Sequence, residues 1–235
     1  MHDLETALRL ALDLIVSGDS TLREIIGLSL TVSLSAVLLA CAIGLPFGAA
    51  LAVFHFRGRN ATIVCVNALM GLPPVAVGLF VYLLLSNSGP LGVLGLLYTP
   101  TAMIIAQTVL VTPIIAALSR QVLEDLHLEY QEQLRSLGTG RIGAIGTLLW
   151  DGRYSLLTVA LAGFGRAIAE VGAVLIVGGN INHVTRVMTT TIALETSRGN
   201  LALALALGIV LIGFALVINA CVMGLRASAT RTRYA

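Results

Sequence analysis

The sequence contains no lysine, and all fourteen basic residues counted as Lys+Arg are arginine. It has no GxxxxGK[ST] loop either, so this chain cannot itself cradle the phosphates of ATP. Charge is scarce: 11% of residues are charged and 57% are hydrophobic, with mean hydropathy +0.95. A soluble domain is roughly 45–50% apolar and about 25% charged, so a water-soluble fold is excluded. A net charge of +2, scattered along the chain, gives no basis for nucleic-acid binding. Cys41, Cys65 and Cys221 all lie in apolar runs without a CxxC pair or a neighbouring histidine, which argues against a metal or disulfide role. The start, Met1-His2-Asp3-Leu4-Glu5, is acidic and lacks the basic region of a cleavable signal. His2, His55, His127 and His183 are dispersed and the acids do not cluster, which disfavours a membrane enzyme. The apolar runs show no repeated pattern of the kind a secondary transporter usually carries.

What is present is a set of long apolar runs. A bilayer core about 30 Å thick needs roughly 20 apolar residues per helix. Five runs qualify, at about 25–54, 61–86, 99–120, 154–178 and 201–225. The expected architecture is an all-α integral membrane protein, 1–235 forming one transmembrane domain with a loop at 121–153 and another at 179–200. Gly44, Pro46 and Gly48 predict a kink or an end in the first run, and Pro73-Pro74 a bend in the second. Residues 4–16 place Leu4, Leu8, Leu12 and Ile15 at helical spacing but are too short and charged to span, so they are expected on the membrane surface. Arginine sets the orientation. Arg57, Arg59, Arg120, Arg135, Arg141, Arg153, Arg226, Arg231 and Arg233 fall on one side, and Arg9, Arg23, Arg186 and Arg198 on the other. This bias predicts an outside N-terminus, a cytoplasmic C-terminus and a cytoplasmic 121–153 loop.

That loop is the most charged part of the chain. Leu123, Leu126, Tyr130, Leu134 and Leu137 share one face of an amphipathic helix whose other faces carry Glu124, Asp125, Glu129 and Glu132. Gly138 and Gly140 suit a helix stop, and Ile142, Ile145 and Leu148 predict a second short helix. Two short helices around a glycine turn make a compact knob.

In the fourth run, Arg166 and Glu170 are four apart on one face, and ionisable groups at that depth need pairing or hydration. Two arrangements are open and compatible: a self-neutralising pair that pins this helix to its neighbours, or Arg166 bordering a path through the membrane with Glu170 tempering its charge. Gly163, Gly165, Ala169, Gly172 and Ala173 make this helix thin enough for close packing. The 179–200 loop carries Asn180, Asn182, His183, Thr185, Arg186 and Thr189-Thr190-Thr191, which form either a solvated loop or a set of hydroxyls and amides that can hydrogen-bond a solute. Val187, Thr191 and Leu194 suit one face of a short helix there. Thr185, Thr189 and Thr190 join Arg166 and Glu170 as pathway candidates.

The run from Glu132 to Leu148 resembles the cytoplasmic motif of type I ABC importer permeases: Glu-Ala-Ala, three residues, Gly, nine residues, then Ile-x-Leu-Pro. Glu132 falls on the Glu, Gly138 on the Gly and Leu148 on the Ile, while Gln133-Leu134 replaces Ala-Ala and Trp150-Asp151 replaces Leu-Pro. Gly71–Gly78, Ser88–Gly92, Gly165-Arg166-Ala167 and Glu170–Ala173 are similar to the molybdate, sulfate and tungstate branch. Gly178–Ile181, Thr185–Thr190 and Leu194–Thr196 resemble the tungstate-specific subunits more than the molybdate ones. The resemblance covers about 22–226. It implies the type I permease fold, a second copy of this chain and two ATPase subunits that bind the ATP and Mg, with no cofactor in this chain. It also implies an extracytoplasmic oxyanion-binding protein, and tungstate or else molybdate or sulfate as cargo. Glu132, Leu134, Arg135, Leu137, Gly138, Arg141 and Ile142 are then expected to contact the ATPase.

Overall fold

A computed structural model describes the backbone of residues 2–233 and the side chains of 5–224. Met1 and the side chains of His2, Asp3, Leu4, Arg226, Arg231 and Arg233, on which part of the surface-helix and orientation readings rest, lie outside the described residues. The described residues are helical with short connections, and contain no strand. The helices are α1 (His2–Ser17), α2 (Ser20–Val53), α3 (Arg59–Met70), α4 (Pro74–Leu85), α5 (Pro100–Ser136), α6 (Arg141–Asp151), α7 (Arg153–Ile168), α8 (Gly172–Gly178), α9 (Met188–Arg198) and α10 (Leu201–Arg233).

Three helices are long and apolar enough to cross a bilayer singly: α2, α5 and the Leu201–Gly224 part of α10. The other two apolar runs are broken. Helices α3 and α4 meet at 99°, and α7 and α8 at 59°. The first break is the bend expected at Pro73-Pro74. Pro73 is the N-cap of α4 and Pro74 takes its first turn, where a missing N–H costs nothing.

Two features refine the expected runs. Helix α2 runs through Pro46 without ending, and its glycines serve packing. A Cβ on Gly48 would lie 2.1 Å from Ser119 Oγ and 2.6 Å from the Ala116 carbonyl, and one on Gly44 would lie 3.0 Å from Ile115. Gly44 and Gly48, one helical turn apart, are therefore the face on which α5 rests. Helix α5 does not stop near 120 but continues to Ser136. The first helix of the knob is thus the end of a 37-residue helix, because a backbone hydrogen-bond ladder is indifferent to where hydropathy falls.

Helix α1 buries Ala7 and Ala11, while Leu8 and Leu12 of the expected stripe are exposed. Leu8, Leu10 and Leu12 are turned outward, a disposition suited to a lipid interface.

The chain divides into two compact units. The first comprises residues up to Ala36, Pro73–Gln107 and Gly165–Ile218. In it α4 packs against α8, where a Cβ on Gly78 would lie 2.7 Å from Ala173 Cα. The second comprises Val37–Leu72, Thr108–Phe164 and residues from Asn219 onward. Its core is Ala49, Ala52, Val53, Leu123, Leu148 and Leu156. Glu124 pairs with Arg59 at 2.6 Å and with Arg120, joining the start of α3 to α5.

Gly48→Ala is expected to lower the thermal unfolding midpoint of the purified protein by an amount equivalent to about 1–3 kcal/mol of overpacking. Gly27→Ala on the same helix, where a Cβ meets nothing within 4 Å, should leave it unchanged or slightly raised. Equal responses would remove the packing role.

Candidate functional site

In the second unit, the end of α5 turns into α6 through a Schellman cap. The Gly138 amide donates to the Arg135 carbonyl (3.0 Å) and the Thr139 amide to the Leu134 carbonyl (2.9 Å), with Gly138 at φ +67°. A side chain other than glycine would pay roughly 1–2 kcal/mol for that backbone conformation. Nothing lies within 4 Å of where a Gly138 Cβ would point.

Helix α6 buries Ala144 and Leu148, one turn apart, and exposes Ile142 (81%) and Trp150 (69%). Leu148 is fully buried beside Leu123 of α5 and Val53 of α2. Gly152 closes the turn into α7, where a Cβ would lie 3.1 Å from Leu126 and 3.3 Å from Leu123. The Arg153 guanidinium sits 4.8 Å from the centres of both the Trp150 and Tyr154 rings.

Among the residues expected to contact an ATPase, Glu132, Arg135, Leu137, Gly138, Arg141 and Ile142 are exposed at this turn. Leu134 is the exception. It is 9% exposed and faces into the knob, because the stripe it shares with Leu123 packs inward. Leu137, expected on that same stripe, is 79% exposed, since the αL turn carries the chain away just beyond it. The knob therefore presents a small mixed surface, with Leu137 and Ile142 apolar and flanked by Arg135, Arg141 and Glu132.

The first unit holds the other candidate residues. Glu170 lies in the break between α7 and α8, outside either helix, and its side chain is only 4% exposed. Its carboxylate accepts a hydrogen bond from Arg166 at 2.5 Å and one from the Ala173 amide at 3.2 Å, satisfying the open start of α8. The Arg166 side chain is 37% exposed. The pair exists as expected, but across a helix break rather than along one face. Gln107 donates to the Ala167 carbonyl at 3.0 Å and braces the end of α7.

Thr185, Thr189 and Thr190, expected as pathway candidates, are buried and so do not form a solvated loop. Thr185 Oγ1 donates to the Gly178 carbonyl (2.5 Å), and Thr189 Oγ1 to the Glu170 carbonyl (2.6 Å). Thr190 Oγ1 lies 3.0 Å from Asn180 Oδ1 and accepts from the Val187 amide. Their hydroxyls occupy carbonyls left open where helices stop, which competes with any role as anion ligands. The expected short helix in this region is α9, whose first amide is capped by Ser29 Oγ at 2.8 Å. Sequence reasoning missed Ser29 and Glu124; the Arg120–Glu124 spacing was the available signal for the latter. Among the described residues, no group of three or more His, Cys, Asp or Glu could hold a metal ion.

A glycine-capped knob with a partly polar surface is joined here to helices suited to a bilayer. Residues 44–231 match the family model of the binding-protein-dependent transport system inner membrane component. The chain belongs to this family. It is 40% identical to the tungstate uptake system permease protein TupB of Peptoclostridium acidaminophilum, over 96% of this chain and 99% of that one. It is 39% identical to a probable anion ABC transporter permease protein of Haloferax volcanii (86% and 91% covered). The TupB protein of Campylobacter jejuni is 37% identical, with 89% and 87% covered. Permeases named for molybdenum or sulfate transport match at 27–29%. Membership makes this chain the membrane component of a transport system, in keeping with its long apolar helices.

Removing one partner of the Arg166–Glu170 pair leaves a poorly compensated charge, at an expected cost of about 2–3 kcal/mol because Arg166 is partly exposed. Glu170→Gln alone should destabilise the purified protein more than Arg166→Gln with Glu170→Gln together. Strictly additive losses in a double-mutant cycle would rule out the neutralising role.

Proposed function

We propose that this chain is the permease subunit of an ATP-driven tungstate importer. The observation that carries the reading is the exposed turn at Gly138, set in a chain that aligns almost end to end with permeases named for tungstate uptake. Two copies form the pore, and a separate ATPase subunit, holding ATP and Mg, seats against each knob. An extracytoplasmic binding protein delivers the anion to the face that carries the start of α9. The N-terminus lies outside and the C-terminus in the cytoplasm.

In this reading Glu132, Arg135, Leu137, Arg141 and Ile142 meet the motor, and Gly138 allows the close approach. Leu134 acts from within, by holding the knob's shape. Arg166 borders the path and Glu170 tempers its charge, so that a dianion is attracted without being trapped. Thr185, Thr189 and Thr190 contribute by fixing the helix breaks around that path. Tungstate is favoured over molybdate and sulfate because permeases named for those anions match at lower identity.

Cells lacking this chain, supplied with nanomolar oxyanion, should lose cellular tungsten by mass spectrometry and regain it on complementation. Loss of molybdenum instead would assign the second anion, and loss of neither would refute the reading. Gly138→Arg should abolish uptake at normal membrane abundance, because its side chain projects into the proposed motor contact. Gly138→Ala should retain most uptake. Full uptake by the arginine variant would exclude the knob as the motor contact.

A further inference from the structure

Inside the second unit, between the end of α2, the last turns of α5 and the start of α6, lies a cleft of about 130 Å³. Its polar lining is His55, His127, Gln131, Arg135, Thr139 and Arg141. No carboxylate lines it. Neither Arg135 nor Arg141 has an ion-pair partner among the described residues, and Glu124 is already held by Arg59 and Arg120. His127 Nδ1 is buried without a hydrogen-bond partner. The first turn of α6 has no side-chain cap on its amides, and Arg141 and Ala144 of that turn line the same cleft.

Two guanidinium groups without an ion-pair partner among the described residues, two imidazoles, a hydroxyl and an uncapped helix start converge on one space, with no carboxylate among its lining residues. Such a set suits a compact anion with several acceptor oxygens. Size narrows the class. A water needs roughly 10–15 Å³ of such space, so the cleft has room for a five-atom oxyanion and several waters beside it. Sites for drug-sized ligands run from roughly 300 Å³ upward, so the cleft fits a single compact group better than a whole nucleotide.

We propose that this cleft is a binding site for a tetrahedral dianionic group, separate from the translocation path. Occupancy would tie Arg135 on α5 to Arg141 on α6 across the Gly138 turn and stiffen the knob. The group is either a free oxyanion or the phosphate monoester of a lipid headgroup.

The test uses the complete complex in nanodiscs with this chain labelled at its four histidines, and inorganic phosphate as the probe. Phosphate should shift the His127 and His55 side-chain resonances saturably at constant ionic strength, and leave His183 unmoved. Arg135→Gln and Arg141→Gln should each weaken binding about tenfold, as expected for loss of a charge-assisted contact. Thr139→Val, a milder change suited to the case where the arginine variants fail to assemble, should weaken it by about threefold. The two sources are separated by lipid. If phosphatidic acid nanodiscs already show the shifted resonances and phosphatidylcholine ones do not, the ligand is a headgroup; saturable shifts in phosphatidylcholine assign a free anion. Non-saturating shifts, shifts shared by His183, or affinities unchanged in the variants would overturn the proposal. Uptake is not read, so the result stands apart from which anion is transported.

Discussion

The packing of Leu148 against Leu123 and Val53 is the contact on which the knob depends. Leu148 and Leu123 are fully buried, and Ala49, Ala52 and Leu156 complete the cluster. One apolar residue of α6 is thereby fastened to α2, α5 and α7 at once. Close-packed interiors transmit displacement because they have little free volume to absorb it. A push on the exposed Ile142 side of α6 is therefore carried to three helices through its buried side. The Gly138 turn matters for the same reason: it places α6 against the cluster, and a longer or looser connection would let the helix move alone.

The first unit meets a different demand. Helix breaks within an apolar structure open amides and carbonyls that have no water to bond. Glu170 supplies an acceptor to α8, while Thr185 and Thr189 supply donors to the Gly178 and Glu170 carbonyls. Ser29 does the same for α9 from a distant part of the chain. The polar residues of this unit thus maintain its broken backbone first. Arg166, with more than a third of its side chain exposed, is the member left with a surface to offer a solute.

The parts of this arrangement that were readable from the sequence are those governed by local chemistry. The amphipathic stripe from Leu123 to Leu134, the glycine stop at 138, the second short helix and the bend at Pro73-Pro74 all follow from side-chain spacing and backbone restriction. What was not readable depends on a partner elsewhere in the chain. Gly44 and Gly48 around Pro46 suggested a break, yet α5 lies against those glycines and the helix persists. The hydropathy drop near 120 marks a change of surroundings, not of backbone. The threonines of 185–190 could have bonded solvent, an anion or a carbonyl, and only the position of the α7–α8 break decides among these. Leu134 and Leu137 shared a face by periodicity, and the turn between them and α6 separated their fates.

The account rests on α6 being mechanically tied to the helices that carry it, and Leu148→Ala tests that tie most directly. The substitution opens a cavity, typically worth about 2–5 kcal/mol, in the cluster where α2, α5, α6 and α7 meet. ATP hydrolysis and anion uptake should be measured together in the assembled, reconstituted complex. The account predicts that hydrolysis persists within about twofold while uptake falls by about tenfold or more, a lost coupling of at least roughly 1.4 kcal/mol. Uptake that stays in proportion to hydrolysis would contradict it, and would mean that the pore is moved through some contact other than the Leu148 cluster.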